Sequence, residues 1–136
     1  MKKMYVAYGS NLNKIQMMLR CPTAIYMGPC EILDHTLIFR HYASIKRTKG
    51  ENCPAALWLI DGKCEANLDR YEGVAANFYK KINVKVKYGE QIFRALTYKM
   101  CPKTYPRKKP FEVYYNICKK GYEHCGLDLD YLEARR

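Results

Sequence analysis

Residues 79–100 read "YKKINVKVKYGEQIFRALTYKM". Ile82, Val84, Val86 and Tyr88 alternate with Lys81, Asn83, Lys85 and Lys87. Strict alternation puts one set of side chains on each face of a strand, so this stretch has an apolar face and a solvated one. The "GEQ" that follows turns the chain, and "IFRALTYKM" returns as its partner. The apolar face of such a pair must be covered by other elements, and this requirement organises the reading of everything else.

Residues 3–8 read as a buried strand. Residues 11–20 read as a helix, with Ile15, Met18 and Leu19 at helical spacing, Ser10 or Asn11 as N-cap, and Pro22 as the stop. Residues 23–40 are apolar and β-branched, interrupted at Gly28-Pro29 and at Asp34, which gives one long bent strand or two. "YASIKR" and "CPAALWLI" flank "TKGEN" as a hairpin would. Residues 63–72 form a short helix closed by Gly73. "CPKTYPRKKP" is a proline-rich surface loop, and from Phe111 the pattern is helical, with "LDLDYLEARR" as a closing helix. Strands and helices segregate more than they alternate. The expected fold is α+β: a small, largely antiparallel sheet or barrel with flanking helices, in a single domain over residues 1–136.

Composition narrows the function classes. No apolar run is long enough to span a bilayer, so no membrane partner is expected. The stretch after Lys2-Lys3 is too short for a signal peptide and breaks at Gly9, which gives a cytoplasmic expectation. The seven cysteines are scattered and contain no C-x-x-C, so zinc and thioredoxin chemistry have no support and free thiols are expected. The formal charge of +11 raises nucleic-acid binding. The positive residues are dispersed, however: Lys80, Lys81, Lys85 and Lys87 on one strand, Arg107-Lys108-Lys109 in a loop, and Lys119-Lys120 and Arg135-Arg136 near the C-terminus. Solvated faces account for them, and nucleic acid is not expected as a partner.

Two stretches carry chemistry. In "YVAYGSNLN" an apolar strand ends abruptly in Gly9-Ser10-Asn11 before a helix. Gly9 can serve an ordinary turn, with Ser10 or Asn11 capping the helix. The same geometry also presents backbone N–H groups to a small anion. In "NLDRYEGV", Glu72 follows Leu68 by four residues and shares its inward face, while Asp69 and Arg70 lie further round, towards solvent. It also sits in the last helical turn, where the macrodipole is negative. Burial and dipole both raise its pKa, which suits a general acid/base. The bland alternative is an ion pair between Glu72 and one of the many lysines.

Together, "YVAYGSNL", "LDRYEGV", "FYKKINVKV" and "GLDLDYLE" resemble the γ-glutamylcyclotransferase (AIG2-like) family, in order and over nearly the whole chain. The resemblance implies a small mixed barrel with flanking helices. It implies a substrate loop of Tyr5, Val6, Ala7, Tyr8, Gly9, Ser10, Asn11 and Leu12, with Glu72 as the catalytic acid/base. Tyr114 matches the tyrosine of the late helix, although "FEVYYNICKKG" departs from the usual wording and Tyr115 is the alternative. The implied partner is a small-molecule γ-glutamyl compound, with no cofactor and no metal, handled by a monomer or homodimer. The implied reaction releases 5-oxoproline and an amine. A biosynthetic cyclotransferase that removes a γ-glutamyl protecting group, and a non-catalytic module for an anionic partner, are the competing readings.

Overall fold

The computed structural model describes residues 1–136, Met1 to Arg136. Five strands close into a barrel in the order β1-β3-β2-β4-β5. β1 (Lys3–Ala7) lies antiparallel to β3 (Tyr42–Ile60), which pairs along most of its length with β2 (Ile25–Arg40). β4 (Tyr79–Tyr88) and β5 (Gln91–Met100) form the hairpin that the alternation predicts. β4 joins β2 at Glu31↔Lys87 and Ile32↔Val86, and β5 meets β1 in parallel at Tyr5↔Leu96, which removes the last free edge. Val84 and Val86 point into the core with Val6, Leu57 and Ala95, while Lys85 and Lys87 face solvent. The expected mixed, largely antiparallel barrel is therefore the fold.

The "TKGEN" turn signal marks a different feature. β3 runs straight through it, and the chain reverses instead at His41, whose φ is +66°, between the paired residues Arg40 and Tyr42. Pairing passes from His35↔Arg47 to Leu33↔Asn52, so residues 48–51 bulge opposite Asp34 alone. The Gly50 N–H donates to Asp34 Oδ1 at 2.9 Å and fixes the bulge.

The first helix also differs from expectation. Ser10–Leu12 makes a 3-10 turn, and only then does α1 (Lys14–Arg20) begin. Its cap is Asn13, whose Oδ1 accepts from the N–H groups of Ile15 and Gln16, each at 3.1 Å. Ser10 and Asn11 do not cap. Met17 is the residue α1 buries, whereas Ile15, Met18 and Leu19 are exposed, because a helix of under two turns presents only a narrow stripe to the barrel.

α2 (Gly62–Tyr71) starts at Asp61, whose carboxylate accepts from the Cys64 N–H at 2.8 Å. It ends at Glu72, and Gly73 at φ +65° turns the chain into a second 3-10 turn, Val74–Ala76. α3 (Glu112–Cys125) presses on the first 3-10 turn at Gly121. A Cβ there would stand 2.6 Å from both Asn13 N and Leu12 Cβ, so only glycine allows this approach. α4 (Leu129–Arg135) docks through buried Leu132 and through Tyr131, whose hydroxyl accepts from the Leu37 N–H. Cys21 and Cys64 form a disulfide between the end of α1 and α2, which corrects the expectation of free thiols for this pair; the other five cysteines are free. No helix is long and apolar enough to cross a membrane.

Candidate active site

At one end of the barrel, six segments converge on a cavity of about 320 Å³: the end of β1 with its 3-10 turn, the starts of β3 and β4, the end of α2, the start of α3, and loop 101–110. Fifteen residues line it, and seven of these are tyrosines: Tyr5, Tyr8, Tyr42, Tyr71, Tyr79, Tyr105 and Tyr114. Not one lysine or arginine lines it, although the chain has 24 of them. The charged residue at the wall is Glu72.

Glu72 is placed by the end of its helix. Its N–H donates to Leu68 O at 2.8 Å, and Leu68 is fully buried beneath. The half-buried carboxyl has no hydrogen bond and no ion pair within the protein, so the lysine-paired alternative is not what the fold builds. Desolvation pushes its pKa up to about 7, with Arg20 pulling more weakly in the other direction. Besides Arg20, the titratable groups that feel Glu72 are tyrosines: Tyr5, Tyr8, Tyr79 and Tyr114 on the cavity wall, and Tyr98, which lies outside it and donates to Asp69. Burial raises the pKa of each, so all five stay neutral donors.

The predicted loop divides by side. Tyr5, Tyr8, Gly9, Ser10 and Asn11 reach the cavity. Val6 and Ala7 do not, since both are buried in the core on the strand that pairs with β3. Leu12 does not either, because it is fully buried beneath Gly121 of α3. These three are scaffold. Asn11 is held on both sides: Nδ2 donates to Tyr5 Oη at 2.9 Å, and Oδ1 accepts from the Arg20 guanidinium. Gly9 has φ −123°, so a left-handed backbone is not its reason for being glycine. The reason is crowding, since a Cβ would lie 2.9 Å from Ala43 Cβ and 3.2 Å from the Tyr114 hydroxyl.

Tyr114, rather than Tyr115, faces the cavity. Its hydroxyl accepts from the Ala43 N–H at 3.1 Å, which leaves its own proton free to point into the cavity. Tyr79 donates to Ala43 O at 2.7 Å, so the same residue of β3 anchors two tyrosines. Tyr115 is turned away against Phe39 and donates to Glu133.

The sequence profile of the AIG2-like family matches residues 54–134, a stretch that includes both Glu72 and Tyr114. The chain belongs to this family. Its curated relatives include the γ-glutamylcyclotransferase of Homo sapiens, 29% identical over 144 residues that cover 96% of this chain and 75% of that protein. The γ-glutamylcyclotransferase of Bos taurus is 28% identical over 142 residues, covering 94% and 74% respectively. A solved γ-glutamyl cyclotransferase structure superimposes with a TM-score of 0.88 at 27% identity, over 98% of this chain and 86% of that one. The barrel with its four helices is thus the fold of those enzymes, to which this chain is homologous.

Residues beyond the predicted set complete the cavity wall. Tyr42, Tyr71, Phe78, Tyr79, Thr104 and Tyr105 also line the cavity. Loop 101–110 is pinned from behind, with Arg40 donating to the carbonyls of Tyr105 and Pro102. Thr104 Oγ1 ties it to Phe78 O at 3.2 Å. The legible signal for this wall was the high tyrosine content, 13 of 136 residues. Which tyrosines converge depends on barrel closure, which no local pattern encodes.

Proposed function

We propose that this chain is a γ-glutamylcyclotransferase that releases 5-oxoproline and a free amine or amino acid from γ-glutamyl compounds. The observation that carries this reading is an unpaired carboxyl, Glu72, held near neutrality in a cavity otherwise walled by neutral groups.

The substrate brings its own nucleophile. Its α-amine attacks the γ-carbonyl carbon and the new C–N bond closes a five-membered lactam. Glu72 accepts a proton from the attacking amine. The bond from the carbonyl carbon to the leaving nitrogen then breaks, Glu72 returns the proton to that nitrogen, and the carboxylate is regenerated. A group with a pKa near 7 serves both steps at neutral pH, which is worth on the order of a hundred- to ten-thousand-fold in rate. The N–H groups opening the Ser10–Leu12 turn have no acceptor within it and meet the substrate α-carboxylate or the developing oxyanion. The free proton of Tyr114 is a second donor to that end. Curling the substrate into an attack geometry supplies several kcal/mol more, on the order seen for well-oriented intramolecular reactions.

Incubation with γ-glutamyl-alanine and a γ-glutamyl-alkylamine, with detection of 5-oxoproline, tests the reading. Release from at least one compound, lost in Glu72→Gln, is expected. Binding of both compounds without release would replace the enzyme with the binding-module reading.

A further inference from the structure

We propose that Arg20 is a positioning residue of this site, which locks the Ser10–Asn11 turn to the end of α2 and provides the positive charge that faces Glu72. The proposal rests on the cyclotransferase reading for its kinetic consequences; its electrostatic one rests on the stacking of the guanidinium on Tyr71, the neighbour of Glu72, and on the pull of Arg20 on that carboxyl.

Arg20 is the last residue of α1 and does not touch the cavity itself. From behind the wall it reaches both halves of the site. One terminal nitrogen donates to Ser10 Oγ at 3.2 Å and also to Asn11 Oδ1. The guanidinium lies on the ring of Tyr71, with its carbon 3.2 Å from the ring centroid. Tyr71 is the residue before Glu72. The backbone is fixed as well: Asn67 Nδ2 of α2 donates to Arg20 O at 3.1 Å, and the neighbouring Cys21 is bonded to Cys64 of α2. A planar fork can bond the turn and stack on a ring at once, whereas an ammonium cannot do both.

The charge is as specific as the contacts. Tyr5 and Tyr8 line the cavity with Glu72 from β1 and the residue following it, Tyr79 from β4 and Tyr114 from α3, while Tyr98 of β5 lies outside it on Asp69, and all of them are neutral. On α2 itself, Glu65 is paired with Lys3 and Lys81, and Asp69 with Lys81 and Tyr98. Arg20 is the cation that acts on Glu72 and the one that opposes the effect of burial on it. Arg20 is half-buried with its Nε unbonded, so the protein holds this charge out of water in spite of an incomplete set of partners.

The test compares wild type, Arg20→Lys and Arg20→Met by three readouts: carboxyl NMR titration of Glu72, the pH profile of 5-oxoproline release, and separate kcat and KM. In Arg20→Met the Glu72 midpoint and the acid limb of the rate both move to higher pH, by about one pH unit, the scale of a lost opposite charge nearby. kcat/KM falls roughly tenfold or more, as for loss of charge-assisted hydrogen bonds. Arg20→Lys keeps the charge and loses the fork, so its midpoint stays near that of wild type while KM rises. Should Arg20→Met not fold, Arg20→Lys carries the test, and a KM equal to wild type overturns the proposal. Variants that lose only thermal stability, with the Glu72 midpoint and the KM of the folded fraction unchanged, overturn it too. If the wild type releases no 5-oxoproline, the cyclotransferase reading fails by itself. The NMR titration then still decides the electrostatic claim, which an unmoved midpoint in Arg20→Met rejects.

Discussion

Helix α2 treats the carboxylates of its outer face and the one at its C-terminal cap in opposite ways. Along its outer face, Glu65 is held by Lys3 at 3.0 Å and by Lys81 at 2.8 Å, while Asp69 meets Lys81 at 3.1 Å and accepts from Tyr98 at 2.6 Å. Those hydrogen bonds and charges, foremost the bond from Lys81, hold the Glu65 carboxyl below the usual carboxylate range. On the cavity side, one turn beyond Leu68 and three residues past Asp69, Glu72 has no partner and sits near 7. The chain has a large excess of lysine and arginine, and still none reaches Glu72 directly. Carboxylates that support the fold are neutralised locally; the one left unpaired in a cavity is the one free to exchange a proton with a ligand.

Substitutions of the paired and the unpaired carboxylates should therefore have unlike effects. Glu72→Gln keeps the shape of the side chain and removes the proton acceptor. Turnover should drop by roughly a hundred-fold or more while the dissociation constant for a γ-glutamyl compound changes little. Near-normal turnover would erase the distinction between the paired and the unpaired carboxylates. The same variant should be more heat-stable than wild type at pH 8. The folded protein keeps the Glu72 proton between about 4.5 and about 7, where the unfolded chain releases it. Stability thus declines as pH rises through that window, and the penalty persists above it. Glutamine removes the penalty, so the gain in Tm should vanish near pH 4, and a gain that is the same at both pH values would contradict the burial argument.

Tyr114→Phe should lower turnover about tenfold, on the scale of one lost hydrogen bond to developing charge, with Tyr115→Phe close to wild type. The reverse order would mean that α3 presents a different face to the cavity. The smallest effects belong to the paired outer face. Glu65→Gln and Asp69→Asn should each cost about 0.2–1 kcal/mol of stability and leave the acid limb of the rate in place. A shifted limb in either variant would show that the outer face and Glu72 are electrostatically coupled.

The β4/β5 hairpin was legible because alternation and burial agree residue by residue, as at Val84 and Lys85. Glu72 was legible because its spacing from Leu68 and the following Gly73 fix its face and its helix end. The "TKGEN" segment misled because glycine and polar residues suit a bulge as well as a hairpin turn, and pairing with β2 decided between them. The loop motif overreached at Val6, Ala7 and Leu12, since a contiguous motif also includes the residues that pack into the core and hold the cavity-lining ones in place. Asp69 reads as a solvent residue on α2, but β4 and β5 bring Lys81 and Tyr98 to it. Arg20 carries no local signal beyond a basic residue in a last helical turn. Its importance arises only when the 3-10 turn and α2 fold to either side of it.

The central claim is that Glu72 works because it is unpaired and titrates near neutrality. The most direct measurement is kcat/KM for 5-oxoproline release as a function of pH, in wild type and in Glu72→Gln. The account predicts a wild-type acid limb with its midpoint at about 7 that is missing from the residual rate of the variant. A limb at the ordinary carboxylate pH, or one that survives unchanged in Glu72→Gln, would contradict it.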